Sequence, residues 1–179
     1  ATAAIANITW ALSLQHENGW FEQCCLTDPS QPLTHTLGYA FRGLVEAYRF
    51  TRDFKFLNAA LKTADGLLTA LGSDGFLPGR LRTDWTAAAS WTCLTGTAQI
   101  AACWLLLYQI TGESRYRDAG CAANRYVRRT IKVEGPPPIR GGIKGSFPVY
   151  GTYGTYEYIN WACKFFIDAN LLEHQTRAA

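Results

Sequence analysis

No methionine occurs anywhere in the 179 residues, not even at the first position. The chain is therefore expected to be processed, trimmed or a fragment of something longer. Charge is scarce too: Asp, Glu, Lys and Arg make up 17%, against 48% for the hydrophobic residues. That balance excludes a disordered chain and allows a substantial core. The length suits one domain over residues 1–179, or about half of a large helical ring, but not two independent domains. Long hydrophobic runs are missing. The longest extends only from Ile100 to Tyr108, short of the ~20 residues of a membrane span, so no membrane partner is expected. Ala1 to Leu14 shows neither a basic n-region nor a cleavage-site pattern, so no signal peptide is read there. No CxxC pair occurs among Cys24, Cys25, Cys93, Cys103, Cys121 and Cys163. Cys103, Cys121 and Cys163 lie in apolar helical contexts, where a free thiol packs as a small hydrophobe. Reduced thiols and a cytoplasmic location are the expectation.

The net charge of +3 does not argue for nucleic acid, but its distribution is uneven. Arg125, Arg128, Arg129, Lys132, Arg140 and Lys144 fall within twenty residues that hold one acid, Glu134, a local +5. Such a stretch is a solvated face or an anion-recognition feature. No aromatic-rich RNA motif or helix-turn-helix pattern accompanies it, so no nucleic-acid partner is expected.

The apolar period is helical nearly throughout, and β-branched alternation is almost absent. Six helices are predicted, roughly 2–15, 35–51, 54–71, 90–111, 114–133 and 153–174. Tyr48-x-x-Thr51 recurs sixty residues on as Tyr108-x-x-Thr111, with Phe56 matching Tyr116 and Ala59 matching Ala119. Asn18-Gly19-Trp20-Phe21, Asp74-Gly75-Phe76-Leu77 and Lys144-Gly145-Ser146-Phe147 each follow a helix and open a loop. A period near sixty with two helices per unit predicts an all-α repeat of antiparallel helical hairpins. Helices 35–51, 90–111 and 153–174 are apolar or small on most faces and are expected to form an inner layer. Helices 54–71 and 114–133 carry Lys, Arg and Asp on one side and are expected to wrap it. Strands are confined to short hairpins in the long loops.

Asn-Gly-Trp-Phe, then Thr34-His35-Thr36-Leu37-Gly38-Tyr39-Ala40-x-x-Gly43-Leu44-x-Glu46-Ala47-Tyr48, then Asp74-Gly75-Phe76-Leu77-Pro78-Gly79, resembles the six-hairpin glycosidase-like superfamily. That group includes unsaturated glucuronyl hydrolases, sugar epimerases and polysaccharide lyases. The resemblance implies an α/α toroid and a carbohydrate-active protein, glycoside hydrolase- or lyase-like. This chain has three hairpins, three inner and three outer helices, where a full ring has six. The expectation is a half-toroid, completed by a second copy of the chain or by a missing half-ring.

The outer-to-inner connections, about 16–34, 72–89 and 134–152, are long and the inner-to-outer turns short, which places a site on the long-loop rim. Inner-helix N-termini point to that rim and bring partial positive charge. Arg80, Arg140 and Lys144 suit an anionic saccharide, and Trp85, Trp91, Tyr150 and Tyr153 offer stacking faces. The acid/base candidates are Asp84, His35 and Glu157; Trp85 is expected to desolvate Asp84 and raise its pKa. Glu46 is expected to pair with Arg42 or Arg49. Trp20, Phe76 and Phe147 are expected to plug the loops. Gly141 to Ser146 lacks Walker spacing and reads as a turn. Two other readings stand beside this one. One is a non-catalytic binding or assembly arc. The other is a zinc protein, because Trp91-Thr92-Cys93-Leu94-Thr95-Gly96 resembles a stretch of lanthionine cyclases, although their Cys-His dipeptide is missing. No cofactor is expected.

Overall fold

The computed structural model describes residues 2–178. They form α1 (Thr2–Leu12), α2 (Thr34–Thr51), α3 (Phe54–Ala70), β1 (Thr92–Cys93), α4 (Leu94–Thr111), α5 (Ser114–Arg129), β2 (Ser146–Phe147) and α6 (Asn160–Ala178). The sixty-residue step is physical. Thr51 and Thr111 each donate their hydroxyl to the carbonyl four residues back, Ala47 and Leu107, and accept from the amides of Asp53 and Glu113. The Tyr-x-x-Thr motif thus closes one helix and starts the next turn. Arg52 and Gly112 turn the chain in the left-handed region, and their amides bond the carbonyls of Tyr48 and Tyr108. Phe56 and Tyr116 then bury at the start of the outer helices.

Helix α4 is the centre of the molecule. Every residue from Leu94 to Leu107 is buried, because α2 and α6 flank it and α5 packs behind it. The Trp104 indole also donates to the Ala64 carbonyl of α3. A Trp104→Ala variant is expected to lose about 3–5 kcal/mol of folding stability, read by urea unfolding. The inner layer is not uniformly covered, however. α6 leaves Trp161, Ile167 and Leu171 exposed, since among the described residues no further helix packs on that side.

Among the predicted boundaries that shift, three do so for a hydrogen-bonding reason. The helix expected from 90 begins at Leu94, because Thr92 and Cys93 pair with Phe147 and Ser146 in an antiparallel sheet. The helix expected from 153 begins at Asn160, because the preceding segment pairs with the glycine loop: Gly145 N–H bonds the Glu157 carbonyl and Ile159 N–H the Ile143 carbonyl. Helix α5 stops at Arg129, where Thr130 caps it.

The three long loops share one rim, tied pairwise. Leu33 bridges Arg80, and the Asn18 side chain donates to the Thr83 carbonyl. The next pair meets through the β1–β2 sheet. The first amides of α2 and α4 each bond a carbonyl from the following loop, Thr34 to Gly79 and Leu94 to Gly145, so loops rather than side chains satisfy them.

That register corrects one expected equivalence. Gly145 is the counterpart of Gly79, not of Gly19 and Gly75. Gly19 N–H bonds the His16 carbonyl and Gly75 N–H the Gly72 carbonyl. The third such bond runs from Gly141 N–H to Lys132 O, sixty residues beyond Gly72, with residues 133–138 inserted between. All three glycines have positive φ, 84°, 90° and 76°, which favours glycine. The buried plugs that follow are Phe21, Leu77 and Ile143. Phe147, expected as the third plug, is exposed on β2.

Candidate functional site

The N-terminal ends of α2 and α4 and the loop before α6 converge on one aromatic band. The Trp161 indole donates to the Tyr153 hydroxyl at 2.8 Å. Tyr153 lies against His35, ring centroids 4.6 Å apart. His35 meets Tyr39 edge-on at 5.8 Å, and Tyr39 meets Phe165 the same way at 5.9 Å. The band leads into a cleft of about 280 Å3 lined by Tyr39, Arg42, Gln99, Lys164 and Phe165. Each lining residue comes from an inner helix.

The polar groups here are not self-satisfied. Gln99 Oε1, Thr95 Oγ1 and His35 Nδ1 are buried and have no hydrogen-bond partner. Buried polar atoms of that kind cost about 1–3 kcal/mol each. Burial holds the His35 pKa below its ordinary value, so the imidazole is neutral at pH 7. Arg42 and Lys164 each carry an acid one turn on: Arg42 Nε donates to Glu46 at 2.7 Å, and Lys164 Nζ to Asp168 at 2.7 Å. Glu46 also receives Arg49, as the sequence suggested. None of the five lining residues is an acid.

Of the site residues proposed from the sequence, the structure brings His35 and Tyr153 together and scatters the others. Trp91 is buried, facing Gly79 and Gly151, where a Cβ would strike its ring. Trp85 is buried on the opposite layer, against Gly66 of α3 and edge-on to Trp20. Asp84 beside it is exposed, and its carboxylate accepts from the hydroxyl and amide of Thr86. Those bonds hold its pKa below the ordinary value, the reverse of the desolvated acid expected. Glu157 is exposed, and its part in the loop is a backbone carbonyl. Arg80 donates to the Gln31 carbonyl and braces two loops. Lys144 donates to the Thr130 carbonyl at the end of α5 and lies 5.5 Å from the Tyr158 ring centroid. Arg140 and Tyr150 are exposed.

Cys93, central to the zinc reading, is fully buried and accepts the Gly96 amide as the cap of α4. Burial pushes its thiol up to about 12. Among the described residues no three His, Cys, Asp or Glu side chains gather in a metal-holding group.

The residues missed were Arg42, Gln99, Lys164, Tyr39 and Phe165. One signal was available: Gln99 is the long polar side chain inside the apolar stretch 94–107.

The sequence matches no protein-family model and none of the curated proteins compared. Its fold does have solved neighbours. The cellobiose 2-epimerase of Spirochaeta thermophila superposes with a TM-score of 0.73 at 12% identity, over 99% of this chain and 49% of that one. The unsaturated glucuronyl hydrolase of Bacillus sp. GL1 superposes at 0.68 with 15% identity, over 98% and 51%. A GH76 α-mannanase of Bacteroides thetaiotaomicron superposes at 0.69 with 17% identity, over 96% and 45%. The chain spans about half the length of each. With its three hairpins, alternating inner and outer helices and one-sided loop rim, this chain has the fold of half an α/α toroid.

Proposed function

We propose that the chain forms half of a carbohydrate-active protein and takes an acidic saccharide in the cleft between α2, α4 and α6, the rest of the ring coming from a second arc. The observation that carries this reading is a cleft in which an aromatic band meets Gln99 and the donors of Arg42 and Lys164, each cation also held by an acid one turn on. Sugar rings stack on Tyr39, Tyr153 and Phe165 through their C–H faces. Gln99, which lines the cleft, meets a sugar hydroxyl. Arg42 and Lys164 supply donors to a carboxylate. The neighbouring folds include a glucuronyl hydrolase and a polysaccharide lyase, which supports a saccharide as the partner.

Titration calorimetry with an oligouronate and a neutral oligosaccharide of equal length tests this. The oligouronate is expected to bind more tightly, and less so as salt rises. Arg42→Ala and Lys164→Ala are each expected to weaken it about tenfold, ~1.4 kcal/mol. Gln99→Ala is expected to weaken both ligands. Equal affinity for the two would remove the acidic preference. A loss with Arg140→Ala but not with Arg42→Ala would return the site to the basic loop.

His35 is the chemical group of this half-cleft. In this reading the His35 imidazole takes the proton from the carbon beside the uronate carboxylate, the C–H electron pair becomes a C=C bond as the neighbouring C–O glycosidic bond breaks, and the departing oxygen takes a proton from water. Hydrolysis by a carboxylate pair has no such pair among the lining residues. Appearance of an unsaturated, ultraviolet-absorbing product, lost in His35→Ala while binding persists, is the expected result. Binding without any product would favour the non-catalytic arc.

A further inference from the structure

We propose that two copies of this chain close head to tail into one ring, the third long loop and α6 of one copy seating on α1 and α2 of the other. The evidence is a vacant place in a repeated packing scheme. The first two rim loops each rest a positive-φ glycine on the outer helix of the next hairpin. A Cβ on Gly19 would lie 2.3 Å from the Lys62 carbonyl carbon of α3, and one on Gly75 would lie 2.2 Å from the Ala122 carbonyl oxygen of α5. These two seats are sixty residues apart. Gly141 holds the same backbone conformation and the same hydrogen bond, yet nothing lies within 4 Å of its Cβ position. The third seat is made and unfilled.

The first hairpin offers what fills it. Loops 1 and 2 match residue for residue, with identical turns at Asn18-Gly19-Trp20 and Asp74-Gly75-Phe76: each Asn or Asp side chain accepts the amide two residues on. That register places Ala6 of α1 where Lys62 lies in α3. Ala6 is exposed, with Ala3, Ala4 and Asn7 around it, a surface small enough for a glycine to approach.

Two further features agree. Ile167 and Leu171 of α6 are 57% and 58% exposed. At the other end an apolar groove of about 560 Å3 runs between α1 and α2, lined by Ile5, Ile8, Ala47 and Phe50, the last 70% exposed. Exposed apolar faces of this kind mark association surfaces. The charges are also opposite. Residues 1–41 hold Glu17, Glu22 and Asp28 and no Lys or Arg, whereas the end of α5 and the loop after it carry Arg125, Arg129, Lys132, Arg140 and Lys144, with Arg128 engaged by Glu173. Head-to-tail closure brings the acidic first loop of one copy toward the basic end of α5 and the loop after it in the other, at both junctions of a two-fold ring. The basic stretch left unused by the saccharide cleft then has a partner.

This shares with the proposed function only the half-ring; its readout is mass, so it stands or falls without any sugar. Sedimentation at micromolar concentration and low salt is expected to give twice 19.8 kDa, dissociating as salt rises. Ala6→Arg on α1 and Leu171→Asp on α6 are both exposed changes and are expected to give monomers with unchanged helical circular dichroism. A wild-type monomer would overturn the proposal and assign the open seat to a different half-ring. A dimer that survives both substitutions would place the interface elsewhere. Assemblies larger than two would show that the contact does not close.

Discussion

A Gly75→Ala variant is expected to lose about 2–5 kcal/mol of folding stability. Two costs add there. Alanine at φ of 90° is strained whatever surrounds it, and its Cβ would lie 2.2 Å from the Ala122 carbonyl oxygen, a backbone atom of α5 that cannot rotate away. Loop 2 must then lift off α5 or push it back against α4. Gly141→Ala makes the informative comparison. It carries a similar φ of 76° with open space around it, so the isolated protomer is expected to lose only ~1 kcal/mol. Urea unfolding at low protein concentration measures both. Equal losses would mean that the seat of the loop on the outer helix contributes nothing.

Glu173→Ala is expected to cost about 1.5–3 kcal/mol, the range for losing hydrogen bonds to a charged group, because the arginines left behind keep access to solvent. The carboxylate has 5% of its side chain exposed and gathers α5 and α6 around itself. Arg128 reaches both its oxygens at 2.8 and 3.1 Å, Arg177 donates at 2.6 Å and the Asn124 amide at 3.0 Å. Without it, Asn124 loses a partner in a buried position where its own oxygen already has none. Burial raises the Glu173 pKa, but the bonds from Arg128 and Asn124 and the charges of Arg128 and Arg177 outweigh it and hold the group below its ordinary value. A folded pKa below the unfolded one stabilises above the unfolded value, ~4.3, and that stabilisation is lost as pH falls through the folded value. Wild-type stability is therefore expected to fall more steeply below that pH than that of Glu173→Gln. Parallel curves would show that the carboxylate contributes through shape alone.

The repeat was legible because its signals are local. A threonine that caps its own helix, an aromatic that buries three residues into the next one and a glycine that must take positive φ each act within a few residues of sequence. Thr51 and Thr111, Phe56 and Tyr116, and Gly19 and Gly75 therefore announce themselves at a constant step. The third glycine was misassigned to Gly145 because the inserted residues 133–138 break that step, and only the bond from Gly141 to Lys132 restores it.

The candidate site was far less legible. Trp85 and Asp84 looked like a desolvated acid beside a stacking ring, yet Trp85 turns outward onto Gly66 and leaves Asp84 in water. A rim loop has two sides, one toward the outer layer and one toward the cleft, and residue type alone does not choose between them. Tyr39, Arg42, Lys164 and Phe165 sit on helices whose apolar residues spread around most of the circumference, so no periodicity singles out the concave face. The amino-acid sequence by itself determined the helices, their pairing and the one-sided rim, because caps, turns and periodicity are properties of neighbouring residues. Which side chains meet in the cleft was decided only in the tertiary structure. It depends on α4 being walled in by α2, α5 and α6, and on which groups that packing leaves buried without a partner.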